Sequence, residues 1–236
     1  MNYTILGQRM QRLEVDKVTE NRATNRVMVY VDGFNLYFGL RAKGWKSYYW
    51  LNVQALAQSI LKPNQTLVNV KYFTSRVSGP LEKAKRQNTY LEALGTLHPF
   101  VIHYGKYMLA PRICRKCGYR DLIPTEKMTD VNIATEIMVD AFQDQFDTAI
   151  LVSADSDLKR PIENTKRLFP NKKVVVAFPP ERSSKELKQT AHGYFSIGRD
   201  KLAKSVFPDE VKKADGFILK RPERWTHEVK DNVSQK

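Results

Sequence analysis

Four acidic residues in this 236-residue chain stand at positions where carboxylates can do chemistry. Asp32 ends the apolar run VMVYVD, and Gly33 and Asn35 follow it. Asp155 and Asp157 come after a second such run, in TAILVSADSD, with Ser153 just ahead of them. Asp130 lies in TEKMTDVNIA, together with Glu126 and Lys127, at the start of the helical pattern that leads into that second run. Glu126 and Asp130 are four residues apart and are expected on one helical face. Three or four carboxylates in one pocket repel one another and raise their own pKa values. A hard divalent cation relieves that repulsion, and an all-oxygen site suits Mg²⁺ or Mn²⁺. Such an ion can activate a water and stabilise charge on phosphate oxygens. Taken singly, each acid has a structural explanation, since Asp-Gly is a common turn and Asp a favoured helix cap. Their joint placement separates the two readings.

Elements that could bring them together are visible in the pattern. Five short runs rich in Val, Ile, Phe and Tyr, at 27–31, 68–73, 100–104, 148–152 and 174–178, read as strands buried on both faces. A short sixth is expected at 194–197. Helical patterns fill the gaps at 51–61, 80–95, 127–142, 158–169 and 183–191, the last with Ser183 or Ser184 as a cap. Alternating strands and helices predict an α/β chain with a mostly parallel central sheet of five to six strands. Ligands of such sheets bind beyond the carboxyl ends of the strands, where strand order reverses. If the first and fourth strands are neighbours, Asp32, Asp155 and Asp157 share one rim. Gly33 then allows a sharp exit and a close backbone approach. The expected organisation is an N-terminal arm over 1–25, a domain over 26–200 and a C-terminal extension over 201–236. Within the domain, 105–124 reads as an inserted loop or small knuckle. The extension is expected to be ordered as far as Trp225, pinned by Phe217, Ile218, Leu219 and Trp225.

Lysine and arginine outnumber Asp and Glu by 39 to 25, a net charge of +14. That excess suits a polyanionic partner, although it also keeps a chain in solution. In RAKGWKSYYW the cations Arg41, Lys43 and Lys46 are interleaved with Trp45, Tyr48, Tyr49 and Trp50. Cations beside aromatics suit single-stranded RNA, and Arg76, Lys83 and Arg86 add further phosphate-binding candidates. A packed loop with a solvated basic face is the plainer reading of the same residues. Cys114 and Cys117, the two cysteines, form a C-x-x-C-G half of a zinc knuckle. Structural zinc needs four ligands. His98 and His103 could complete a Zn²⁺ site, as could a second chain, and free thiols are the alternative. Two cysteines so close in sequence fit a reducing, cytoplasmic setting. No run is long and apolar enough to span a membrane, and no secretory h-region is seen. No dinucleotide, Walker or Ser-His-Asp pattern occurs.

Three stretches, VYVDGFNLY, TEKMTDVNIATEIMVDAF and TAILVSADSDLKRPIE, occur in the order found in NYN-domain proteins. The chain resembles that family, of the PIN-like nuclease superfamily and its LabA-like branch, over residues 27 to about 198. The resemblance implies a Rossmann-like three-layer α/β/α sandwich and Mg²⁺- or Mn²⁺-dependent cleavage of RNA. It implies an acidic cluster of Asp32, Asp130, Asp155 and Asp157, with Asn35 orienting a water or phosphate and Ser153 supporting the pocket. Glu126 and Lys127 are secondary candidates. Met128 and Thr129 stand where the family often has Gly-Val, and Asp130 keeps its register. RPERW resembles C-terminal extensions of bacterial members. Three functions compete: a metal-dependent ribonuclease, a nucleic-acid-binding regulatory module with little cleavage, and a small-molecule enzyme such as a hydroxylase or phosphatase. A homodimer is expected.

Overall fold

The computed structural model describes residues 24–77, 80–113 and 115–226, with backbone alone at 107–110 and 123–126. The chain begins with β1 (Asn25–Asp32), passes straight into α1 (Gly33–Ala42), makes a 3-10 turn at Lys46–Tyr49, and continues through α2 (Val53–Ser59) and β2 (Gln65–Thr74). Next come α3 (Leu81–Leu94), β3 (Phe100–Tyr104), the strands β4 (Lys106–Ile113) and β5 (Arg120–Lys127), and α4 (Thr129–Phe142). After β6 (Thr148–Val152) a 3-10 turn at Ser156–Leu158 leads into α5 (Lys159–Leu168), β7 (Lys173–Phe178), α6 (Lys185–Thr190) and β8 (Gly193–Ser196). Helix α7 (Arg199–Ala203) and the short strands β9 (Glu210–Lys212) and β10 (Ile218–Lys220) follow.

Six strands form one sheet in the order β3-β2-β1-β6-β7-β8, and every pairing is parallel. Alternation along each strand divides the core in two. On one face Val27, Val29, Val31, Val70 and Tyr72 pack with Leu36 and Leu40 of α1, Leu56 of α2 and Leu91 and Leu94 of α3. On the other, Met28, Tyr30, Phe73, Ala149 and Leu151 meet Ile133 and Ile137 of α4, Ile162 of α5 and Leu187 of α6. Two helical layers enclosing a parallel sheet make the three-layer α/β/α sandwich. Strand order reverses between β1 and β6, which pair directly.

Four sequence expectations change. Residues 33–42 form a helix, because Asp32 caps it by accepting the Asn35 N–H, at 2.9 Å. The insert is an antiparallel hairpin of β4 and β5. Pro111 stands opposite Leu122 and Pro124 opposite Leu109, and both prolines are tolerated because both strands of a two-stranded ribbon are edges. Glu126 and Lys127 end β5, and Met128, at φ 81°, separates them from α4. Glu126 and Asp130 therefore do not share a helical face. In the extension, Leu219 is buried and Trp225 packs on the core, whereas Phe217 and Ile218 are exposed. Phe207 and Val211 anchor it instead, and the Trp50 indole N–H donates to the Pro208 carbonyl at 2.8 Å.

Candidate functional site

At the carboxyl ends of β1 and β6 a small hydrogen-bond network spans the switch point. The Ser153 hydroxyl is fully buried and donates to Asp32 Oδ2 at 3.0 Å. Ser153 Oγ itself accepts the Asp155 N–H at 3.1 Å. Asn35 Oδ1 accepts the Ala154 N–H at 3.2 Å, tying the first turn of α1 to the loop after β6. Asp155 Oδ1 in turn accepts the Asp157 N–H at 3.0 Å and caps the 3-10 turn. Asp32, Asn35, Ser153 and Asp155 are thus brought together from two segments some 120 residues apart, the 121-residue separation of Ser153 and Asp32 being typical. Asp155 is half-buried and Asp157 exposed, while Asp32 is buried.

Asp130 reaches the same rim by topology. Helix α4 leads back to the start of β6, so it runs antiparallel to the sheet and its first turn lies at the strands' carboxyl ends. The Asn132 side-chain amide lies 3.5 Å from the Tyr104 carbonyl at the end of β3, in keeping with that topology. Lys127 is exposed at the end of β5. The Glu126 side chain lies outside the described residues.

Gly33 permits the close packing of this rim. A Cβ there would stand 2.6 Å from the Tyr72 ring carbon and hydroxyl and 2.8 Å from the Phe73 carbonyl. Burial, and then the nearby Asp32 carboxylate, push the Tyr72 hydroxyl pKa up. Tyr72 was not singled out by sequence, where it reads as one more strand aromatic.

The donors fit a hard cation in kind, since carboxylate and hydroxyl oxygens dominate. Among the described residues, no three His, Cys, Asp or Glu side chains stand close enough to enclose an ion.

The zinc reading fares differently. Cys117 is exposed, and Cys114 lies outside the described residues. His103 is engaged within the sheet, its Nδ1 3.7 Å from Glu136 and its ring stacked on Phe73 at 4.9 Å. His98 is exposed in the loop before β3. Of the two histidines expected to complete the site, His103 thus faces Glu136 of α4.

A cavity of about 760 Å³ opens beside the acidic rim, between α1, the 3-10 turn at 46–49, the start of α3 and the segment around Trp225. Arg41, Lys46, Lys83 and Arg86, four of the predicted phosphate-binding residues, line it. Lys43 instead pairs with Glu181, and Arg76 lies over the Tyr104 ring and donates to Asn88. Phe34, Tyr37 and Phe38 form part of the cavity wall.

Sequence reasoning missed a second polar group, buried between the sheet and α4. Lys71 of β2 donates to both Asp140 oxygens at 2.8 and 2.6 Å and to Glu136 Oε2 at 2.6 Å. The Tyr30 hydroxyl donates to Asp140 at 2.7 Å. Burial, followed by Asp140, raises the Tyr30 pKa, and burial holds that of His103 down against the pull of Glu136. A lysine inside the apolar run VNVKYF, and an aspartate inside EIMVDAF, were the available signals, because buried charges come paired.

Comparison with known proteins follows this geometry. A family model described as NYN domain matches residues 26–198. The chain is 27% identical to 6-hydroxy-3-succinoylpyridine 3-monooxygenase HspA of Pseudomonas putida, over 56% of this chain and 53% of that protein. It therefore spans about half the length of that curated relative. A crystal structure of a protein of unknown function from Vibrio parahaemolyticus superposes with a TM-score of 0.48 at 22% identity, covering 76% of this chain and 96% of that one.

Proposed function

Since the chain belongs to the NYN domain family, within the PIN-like nuclease superfamily, we propose that it is a metal-dependent nuclease that hydrolyses phosphodiester bonds of single-stranded RNA in a reducing cytoplasm. The observation that carries this reading is the Ser153 hydroxyl, which joins the Asp32 carboxylate to the Asp155 backbone across the β1–β6 switch point. Asp32, Asp155 and Asp157, with Asp130 from α4, are the residues that would hold Mg²⁺ or Mn²⁺. Bound there, the ion supplies Lewis acidity and neutralises charge on the phosphate oxygens.

The protein groups have separate tasks in this reading. Asn35 N–H and Ser153 Oγ hold the Asp32 carboxylate in one orientation before substrate arrives, which is the preorganisation a charged site needs. Asn35 commits its carbonyl oxygen to Ala154 and keeps its NH₂ group as a donor for a phosphate oxygen. The cations of the adjoining cavity hold the strand's phosphates, so binding is salt-sensitive and tolerant of sequence.

The likeness to a monooxygenase acting on a substituted pyridine favours a second reading, in which the aromatic-lined cavity takes a small aromatic acid. Incubating the protein with labelled single-stranded RNA separates the two. Cutting that requires Mn²⁺, stops with EDTA and is lost in Asp155→Asn supports the nuclease. Intact RNA, together with a rise in melting temperature on adding an aromatic carboxylate, supports the second reading.

A further inference from the structure

The cavity wall includes residues that lie past the end of the family match. That match stops at residue 198, yet Arg224 and Trp225 line the cavity. Their placement is built, not incidental. Arg221 donates to the Ser47 carbonyl at 2.6 Å and to the Trp225 carbonyl at 2.7 Å, stitching the tail to the 3-10 turn at 46–49. The Trp225 ring meets Tyr49 at 5.9 Å, Tyr90 at 6.0 Å and Trp50 at 6.4 Å. Tyr49 also contacts Tyr37 at 5.0 Å, and burial with that neighbour pushes its hydroxyl pKa up to about 12.

The chemistry of the lining is specific. Eight aromatic side chains and five cationic ones face the space, against a single acid, Glu82. The volume falls within the roughly 300–1,000 Å³ of sites that enclose a small ligand or one unit of a larger one. Aromatic walls suit a planar base, and surplus cations suit the phosphate attached to it. The cavity opens next to the acidic rim, because Gly33 and Tyr72, both beside Asp32, line it.

We infer that this cavity is a nucleotide subsite for the strand being cut, with Trp225 of the C-terminal segment as a stacking wall and Lys83 and Arg86 on the adjoining phosphate. The inference rests on the nuclease reading and extends it, since it assigns substrate binding to a segment outside the family domain. Recognition by stacking and charge makes the subsite tolerant of base identity and dependent on an unpaired strand.

The test is binding of a short fluorescein-labelled oligoribonucleotide, followed by anisotropy in EDTA so that binding is read apart from cutting. Trp225→Ala is expected to weaken binding between about fivefold and a hundredfold, the span for losing one stacked base, while Trp225→Phe restores most of it. Lys83→Glu, on an exposed residue whose change leaves the fold intact, lowers the salt dependence of binding by about one phosphate contact. Lys185→Glu, exposed on α6 in the opposite layer, is the control and leaves affinity near the wild-type value. Wild-type affinity in a Trp225→Ala protein that melts cooperatively overturns the inference, as does an equal effect of Lys83→Glu and Lys185→Glu. Displacement of the oligonucleotide by nucleoside 5′-monophosphates, and not by nicotinate, supports it; the reverse order overturns it. The two levels fail separately. RNA cut with metal by variants that bind normally leaves the nuclease and removes the subsite. Binding that depends on Trp225, with no cutting under any metal, leaves the subsite and removes the nuclease.

Discussion

Replacing Asp140 with alanine tests whether the buried polar group beneath α4 is a balanced charge system. Asp140 and Lys71 are both buried, at 4% and 9% exposure, and Tyr30 is fully buried. Removing one member of a buried ion pair costs about 3–5 kcal/mol, because the other charge is left in a poor solvent. Glu136 moderates that cost, since it stays 2.6 Å from Lys71 Nζ and is partly open to water. The Tyr30 hydroxyl adds about 1–3 kcal/mol by losing its acceptor. Together these give about 3–4 kcal/mol, and at roughly 2–4 °C per kcal/mol for a chain of this size the melting temperature should fall by about 10 °C. Urea unfolding is the assay, with an unchanged m-value as the check that the compact state is the same. The triple variant Lys71→Met, Asp140→Leu, Tyr30→Phe removes the three buried members at once, leaves only the partly exposed Glu136, and should recover to within about 1 kcal/mol of wild type. An Asp140→Ala cost below about 1 kcal/mol, or a triple variant no more stable than the single one, would refute the reasoning.

Other consequences are simpler to read. Gly33→Ala places a methyl group 2.6 Å from Tyr72 and 2.8 Å from the Phe73 carbonyl; β2 or α1 must give way, so stability should drop by about 1–3 kcal/mol and any cleavage should fall with it. Ser153→Ala takes a hydrogen bond from a buried carboxylate, worth about 1.5–3 kcal/mol in a chemical melt, and Ser153→Thr should lose less. Asp147, bonded to the Arg26 side chain and backbone, titrates below its ordinary value of 3.8. Its contribution is therefore complete above about pH 4 and is lost as the pH falls through its lowered folded-state pKa, so below about pH 4 wild-type stability should drop more steeply than that of Asp147→Asn.

The central strands were legible because they are buried on both faces and so read as unbroken apolar runs, whereas β3, at one edge of the sheet and only half-buried, was legible from its Phe, Val, Ile and Tyr alone. The expected spans at 100–104 and 148–152 coincide with β3 and β6. That β1 and β6 are neighbours follows from the reversal of strand order, and the acidic residues at their ends were the sequence's clearest signal. Helix α1 was less legible, since GFNLYFGLRA carries two glycines and aromatics that also fit a pocket loop. Its start depends on a cap by the very aspartate that drew attention as chemistry. The hairpin was obscured by its own prolines and cysteines. The Lys71 group was hidden because its members lie on β1, β2 and α4, and no local pattern connects them. Likewise, the cavity needs the chain's far end beside its beginning, a juxtaposition that only folding supplies.

The domain that a family comparison outlines and the unit that folds are not the same length here. Leu202, Phe207, Val211 and Leu219 belong to the core shared with β1, α1 and α2, and all lie past residue 198. A gene trimmed to the family boundary would encode a protein with Trp50 stripped of its cover and of the carbonyl at Pro208 that its indole binds. Expression work on this chain should therefore carry the reading frame through at least Thr226, since a shorter product would leave a large apolar face open to self-association.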